Sequence, residues 1–269
     1  MDDIPFDWDD YTFRKRACQN PVSREKFYYE EILPNLLVVS DSYLCGGTKS
    51  RILKKILLQI FPHAKEYVYV TSPWGGFQCA LALIVKELSQ ELDPTKIATI
   101  ITSRIGGSPS AHTLTAKELG AKVLFVPEDV DEYQYAQEYV RQRPNAILLP
   151  SGLNIPEGRR EICKLGERIK RNLGQFDAVF SVAGSGALTR GLQMSGLGKE
   201  YWAISVTYRI PDVGQAHLII HPQSFDERVS PEKRPPFPSS SHYDAKGFIY
   251  AYDYARRHPN KRVLFWNVM

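Results

Sequence analysis

Apolar residues fall along the chain in two alternating rhythms. From Asn35 to Tyr208, solid apolar runs take turns with longer stretches whose apolar positions recur at helical spacing. The runs "NLLVVSDSYL", "EYVYVTS", "KIATIITSRIGG", "AKVLFVPE", "NAILLPSG", "FDAVFSVAGSGA" and "EYWAISVTY" predict strands. Between them, "SRILKKILLQIF", "FQCALALIVKELSQEL", "SAHTLTAKELG", "DEYQYAQEYVRQR", "GRREICKLGERIKRN" and "LTRGLQMSG" predict helices. In the first helix Ile52, Leu53, Ile56, Leu57 and Ile60 form the apolar stripe, and Ser50 is a candidate cap; Gly120 stops the third. Strands without polar alternation are buried on both faces, so the pattern predicts an α/β fold with parallel sheets flanked by helices.

Beyond Tyr208 the rhythm breaks. "HPQSFDERVSPEKRPPFPSSSHYD" is rich in proline and serine and predicts a long loop. Loops of that length in compact proteins serve as lids or binding elements. "AKGFIYAYDYARRH" resumes a helix with Asp244 as its N-cap, and "KRVLFWNVM" reads as a terminal strand. The first 35 residues are mixed and are expected to wrap around the main body.

Composition narrows the class. The chain has 269 residues, 43% hydrophobic and 24% charged, which is the make-up of a globular protein of one large domain or two lobes. Cys18, Cys45, Cys79 and Cys163 are scattered without metal-ligand spacing, and the expectation is four free thiols in a reducing compartment. The acidic start "MDDIPFDWDD" lacks the order of a signal peptide, and no run is apolar and long enough to span a bilayer. A cytoplasmic protein with no membrane partner is expected. The net charge of +4 is mild, with basic residues gathered at Arg14–Arg16, "KSRILKK", "KRNL", "EKRPP" and "ARRHPNKR". That balance suits a phosphate-bearing or nucleic-acid partner and equally a chance surface excess. His217 and His221 come closest to a metal spacing, but they fall in a strand-to-loop region, and no metal is expected.

The strongest local signal for chemistry is "DAVFSVAGSGALTRGL", where a strand enters Gly184-Ser185-Gly186 and then a helix. Such a turn places backbone N–H groups where a phosphate can sit, with Ser185 and Thr189 as added hydroxyl donors. It reads equally as a plain tight β–α turn. No Gly-Lys-Ser/Thr closes it, and the third glycine of a dinucleotide fingerprint is missing. In "SYLCGGTKSRILKK", Lys49 reads either as a solvated lysine at a helix start or as an amine held for covalent chemistry. Arg51 beside it is a candidate for a phosphate or carboxylate. "TSPWGGFQCA" brings Trp74, Gly75 and Gly76 to a strand end; "SRIGGSPSAH" and "PSGLNIPEG", with Asn154, do the same. All these loops are expected beyond the carboxyl ends of parallel strands, where ligands of open α/β sheets bind. Tyr243 reads as a general acid, a stacking partner or a packing residue.

At these residues the chain resembles the tryptophan-synthase-β-like, fold type II family of pyridoxal-phosphate enzymes, in its 1-aminocyclopropane-1-carboxylate deaminase and D-cysteine desulfhydrase branch. Gly46-Gly47-Thr48-Lys49-Ser50-Arg51 matches that branch's "GGNK-T/S-R" segment, and Gly75-Gly76-Phe77-Gln78-Cys79-Ala80 its "GG-I-Q-S-N" loop. Pro150 to Asn154 matches "P-x-GG", and Ala183-Gly184-Ser185-Gly186-Ala187 the phosphate loop. His242 to Gly247 matches "DP-V-Y-T-G-K-A", and Val263 to Asn267 the closing strand. The order of blocks holds over about four-fifths of the chain.

The resemblance implies a large cofactor-binding lobe of residues 1–60 and 150–269 and a reduced small lobe of residues 61–149. It implies pyridoxal 5'-phosphate as cofactor, with Lys49 forming its Schiff base and Gly75, Gly76, Gln78, Ala183, Gly184, Ser185, Gly186, Ala187 and Asn267 around it. Lys49 and Tyr243 would be catalytic; Arg51, Trp74, Cys79, Asn154 and Tyr243 would meet substrate. The activity implied is of the lyase, decarboxylase or isomerase type at the α-carbon of an amino acid, in a homodimer. Two departures bear on substrate. Cys79-Ala80 stand where the family has Ser-Asn, and Met269 follows without the usual Thr-Gly-Gly. Some bacterial viruses carry short proteins resembling this branch that act on amino acids attached to modified thymine in DNA, which makes DNA an alternative partner and the host cytoplasm the setting. A non-catalytic nucleic-acid-binding α/β protein is the second alternative.

Overall fold

The computed structural model describes residues 17–19, 21–104, 107–207 and 211–269. The basic cluster at 14–16 and the Ile105–Gly106 part of one glycine loop lie outside them. Two compact units divide the chain. The first holds Glu25–Tyr43 and Asn154–Met269; the second holds Leu44–Leu153 with the described residues up to Arg24.

The first unit is built on a six-stranded sheet. Its strands are β1 (Tyr29–Leu33), β2 (Leu36–Ser40), β7 (Phe176–Ala183), β8 (Gly198–Ser205), β9 (His217–Ile220) and β10 (Val263–Asn267), in the order β1-β2-β10-β7-β8-β9. Only the β1–β2 pair is antiparallel. The solid apolar runs hold the middle: every residue of β10 is buried, and in β7 only Asp177 is not. Helices α5 (Pro156–Leu173), α6 (Ala187–Ser195) and α7 (Asp244–Arg257) belong to this unit. Phe180, Val182, Phe265 and Phe248 anchor a core between the sheet and α7. Asn35, in the β1–β2 turn, donates its amide to the carbonyls of Ala255, His258 and Lys261 at 3.0–3.1 Å. One side chain thus satisfies carbonyls at the end of α7 and in the turn leading to β10.

The second unit carries a wholly parallel sheet of β3 (Glu66–Val70), β4 (Ile97–Thr102), β5 (Lys122–Phe125) and β6 (Ala146–Leu148), ordered β5-β4-β3-β6. Helices α1 (Lys49–Ile60), α2 (Phe77–Glu91), α3 (Ala111–Glu118) and α4 (Glu132–Arg141) complete it. The architecture is therefore α/β, with mixed parallel and antiparallel sheets flanked by helices, as the apolar rhythm predicts.

Three expectations are corrected. Cys18 and Cys45 form a disulfide, and Cys79 and Cys163 stay outside any disulfide. Sequence spacing carries no sign of this, because the fold alone brings two cysteines 27 residues apart together. Asp244 does not cap α7: it is the helix's first residue, and its Oδ2 accepts the backbone N–H of Met269 at 3.0 Å. Ser50 does not cap α1 either, since its hydroxyl donates to Gly47 O at 2.8 Å. Two short strands, β1 and β9, lie at the sheet edges in stretches where the sequence shows no clear strand signal.

Candidate active site

In the second unit's sheet the strand order reverses once, at β3, and in the first unit's sheet β10, the last strand in sequence, lies between β2 and β7. In the second unit β3 has β4 on one side and β6 on the other, so the loops after β3 and β6 flank the switch point. The turn after β3 holds Trp74, Gly75 and Gly76. Gly75 has no room for a side chain, because a Cβ would overlap Thr71 Oγ1. Gln78, buried in the first turn of α2, donates its amide to Pro73 O at 3.1 Å and Gly75 O at 3.0 Å. Its Oε1 is buried without a partner among the described residues. Tyr69, at the end of β3, accepts the N–H of Gly152 at 3.0 Å and so ties the turn after β6 to β3. Burial pushes the Tyr69 phenol up, which keeps it a neutral hydroxyl.

Lys49 opens α1 after two consecutive left-handed glycines, Gly46 (φ 76°) and Gly47 (φ 70°). A Cβ on Gly46 would overlap the backbone of Ala80, so this loop runs pressed against the start of α2. Lys49 Nζ stands 6.0 Å from the centre of the Phe77 ring. Arg51 is turned to the chain itself, donating to Arg24 O. Cys79 and Ala80 are fully buried; the Cys79 thiol donates to His112 O at 3.4 Å.

In the first unit β7 lies between β10 and β8, and the turn after β7 is Gly184-Ser185-Gly186. Gly186 is left-handed (φ 80°), and a Cβ there would overlap Asp212 O. The first turn of α6 leaves its N–H groups without intrahelical acceptors, and the helix field favours an anion there. Asn154 Nδ2 donates to Ser185 O at 2.7 Å and steadies the turn from below α5, while its Oδ1 is buried and unpaired among the described residues. Thr189 is not offered to a ligand: its hydroxyl pairs with that of Ser181 at 2.8 Å, both buried, and braces α6 on β7. Tyr243 donates its hydroxyl to Val182 O at 3.2 Å and lies 3.3 Å from where a Gly184 Cβ would stand. Asn267, at the end of β10, donates to Ser42 Oγ at 3.2 Å and Pro238 O at 2.6 Å, with Oδ1 buried and unpaired among the described residues.

The structure thus joins Gly46 to Ala80, Gln78 to Gly75, Asn154 to Ser185, and Tyr243 to Gly184. Sequence reasoning missed Lys246 of α7, which is wholly buried. Its signal was its place beside the buried stripe of Ala245, Phe248, Ala251 and Ala255.

No family model matches the chain, and no curated protein matches it in sequence. Solved structures do. The O-acetylserine-dependent cystathionine β-synthase of Helicobacter pylori is 16% identical, with a TM-score of 0.66 over 93% of this chain and 94% of that one. Threonine deaminase isoform 2 of Solanum lycopersicum, in its processed form, is 14% identical, with a TM-score of 0.69 over 96% and 83%. The cysteine synthase of Entamoeba histolytica is 13% identical, with a TM-score of 0.66 over 94% and 82%. The fold is that of the tryptophan-synthase-β-like, fold type II pyridoxal-phosphate enzymes.

Proposed function

We propose that the protein is a pyridoxal-phosphate-dependent enzyme acting at the α-carbon of an amino acid or amino-acid-like group, by lyase, decarboxylase or isomerase chemistry. The observation that carries this reading is Lys49 at a helix start behind two left-handed glycines, in a fold shared with such enzymes. The residues fit the cofactor. The glycine turn before α6 is tight, with no room for a side chain at Gly186, and opens a helix whose N-terminal field suits a phosphate. Asn267 has its amide nitrogen committed and an acceptor oxygen buried, which suits a protonated ring nitrogen. When bound, pyridoxal phosphate supplies an electron sink for the electron pair left at a substrate α-carbon.

Lys49 would hold the cofactor through its amine, and its Nζ is the group that would move the proton at the substrate's α-carbon. Ser185 and the backbone of Gly184, Gly186 and Ala187 would hold the phosphate, in a turn that Asn154 steadies. Gly75, Gly76 and Gln78 would shape a turn on the cofactor's ring side, with Trp74 in the same turn; Arg51, which donates to Arg24 O, would have to leave that carbonyl to meet substrate. Tyr243, whose hydroxyl donates to Val182 O, would turn that proton to a leaving group. Adding pyridoxal phosphate to the purified protein is expected to give a visible absorption band that Lys49→Ala abolishes. A wild-type protein with no band at saturating cofactor sinks this reading.

A substrate carried on DNA is the second reading. Cys79 and Ala80, by residue type, bring no side-chain hydroxyl or amide to a free carboxylate. Binding to DNA bearing amino-acid-substituted thymine should then weaken steeply with salt. Turnover of free amino acids without such binding would decide for the simpler substrate, and binding without any cofactor band for a non-catalytic DNA-binding role.

A further inference from the structure

Residues 221–230 are the first part of the long segment that the sequence shows as a loop, and they are fastened to the start of α7 at several points. Lys246 Nζ donates to Ser224 O. His242 Nδ1 lies 3.0 Å from Phe225 O, and its Nε2 accepts from Arg228 Nε at 3.1 Å. These partners fix His242 as the neutral ring with its proton on Nδ1. Val229 N donates to Ser241 O at 3.0 Å, and His221 Nδ1 lies 3.1 Å from the Tyr250 hydroxyl. Phe225 packs edge-on against the Tyr243 ring, with centroids 5.8 Å apart. Tyr243 in turn rests on Val182 O and Gly184.

We propose that residues 221–230 are a strap latched by Lys246, and that Lys246 is a positioning residue which, through Ser224 and Phe225, holds Tyr243 against the glycine turn. The chain Lys246–Ser224–Phe225–Tyr243–Gly184 lies within the first unit. The effect on cofactor rests on reading that turn as the phosphate seat; the strap itself does not.

The latch responds to pH. Burial pushes the Lys246 amine down to about 8, against the opposing pull of Glu227 and Asp226. His221, whose own imidazole is pushed down chiefly by burial, adds no anion there; Arg228, His242, Tyr243 and Tyr250 also meet this segment, and Asp244 in the first turn of α7 is turned to Met269 N. An open strap returns Lys246 to water and its ordinary value of 10.5. Closure therefore releases a proton, and the closed form gains as pH rises from about 8 towards 10.5.

Hydrogen exchange of the full chain, without added cofactor, tests the strap. Protection factors for amides of residues 221–230, corrected for intrinsic rates, are expected to rise by about tenfold or more between neutral pH and about pH 9.5. Lys246→Met, apolar and of similar length, should remove most of that rise, and Lys246→Arg, charged throughout, should leave the strap poorly protected at both. No rise in the wild type, or the same rise in Lys246→Met, overturns the latch; the wild-type profile decides even if a variant misfolds. Titration with pyridoxal phosphate then tests the positioning role: affinity should rise with pH in step with protection in the wild type and lose that link in Lys246→Met. Cofactor binding that ignores a working latch overturns the positioning role alone. No cofactor binding at any pH sinks the phosphate-seat reading and, with it, only the consequence drawn for cofactor.

Discussion

Gly46 shows how one residue type is required before any chemistry is considered. Its φ of 76° lies where a side-chain-bearing residue costs roughly 1–2 kcal/mol, and a Cβ would also overlap Ala80. Gly46→Ala should therefore lower unfolding stability by more than about 2 kcal/mol in urea, and should slow capture of pyridoxal phosphate by Lys49. Glycine was legible here, since a Gly-Gly pair before a helix start signals a left-handed turn; its collision partner was not. Lys246 is the converse case. In sequence it is one more lysine in a helix, and only the fold shows it to be buried, with its amine on Ser224 O. Lysine's long apolar stem lets it pass for a surface residue in any periodicity argument.

At the scale of elements, the glycine turn is held in place by how α6 packs. Gly191 of α6 meets α5 where a Cβ would fall 2.5 Å from Ile162 Cβ, and Gly166 of α5 meets Ser195 with similar closeness. Backbones this near leave no room for branched side chains. Gly191→Val should destabilise the protein by about 1–3 kcal/mol and weaken anion binding at the turn that α6 begins. Gly191→Ala should do the same to a smaller degree, read as thermal midpoint and as affinity for pyridoxal phosphate. The helices and central strands were legible because each is a long periodic or solid apolar segment. The edge strands β1 and β9 were not. One carries two adjacent glutamates, Glu30 and Glu31, and the other spans four residues, and both exist because a neighbouring strand offers them a hydrogen-bonding edge.

For the molecule as a whole, the disulfide is the feature that most changes how stability should be measured. It closes a separation of 27 residues and ends one residue before Gly46. Cross-linking a loop of that size restricts the unfolded chain by about 3–4 kcal/mol. Cys45→Ser should lose about that much stability under oxidising conditions, and reductant should lower the urea midpoint of the wild type while leaving the variant unmoved. Among the described residues no helix is long and apolar enough to cross a membrane. The likeness to solved structures extends over more than nine-tenths of the chain at 13–16% identity, so the fold has outlasted most of the residues that build it.

The sequence alone determined the alternation of strands and helices, the parallel character of the sheets, and the glycine loops at strand ends. These follow from local rules: apolar periodicity, and the conformations that glycine alone adopts without strain. Tertiary structure decided which residues meet. It paired Cys18 with Cys45, turned Asp244 from its helix to Met269, committed Thr189 to Ser181, and buried Lys246 under Ser224. Such contacts join residues up to 27 positions apart, as here, or far more elsewhere in the sheets, and no short window of sequence contains both partners.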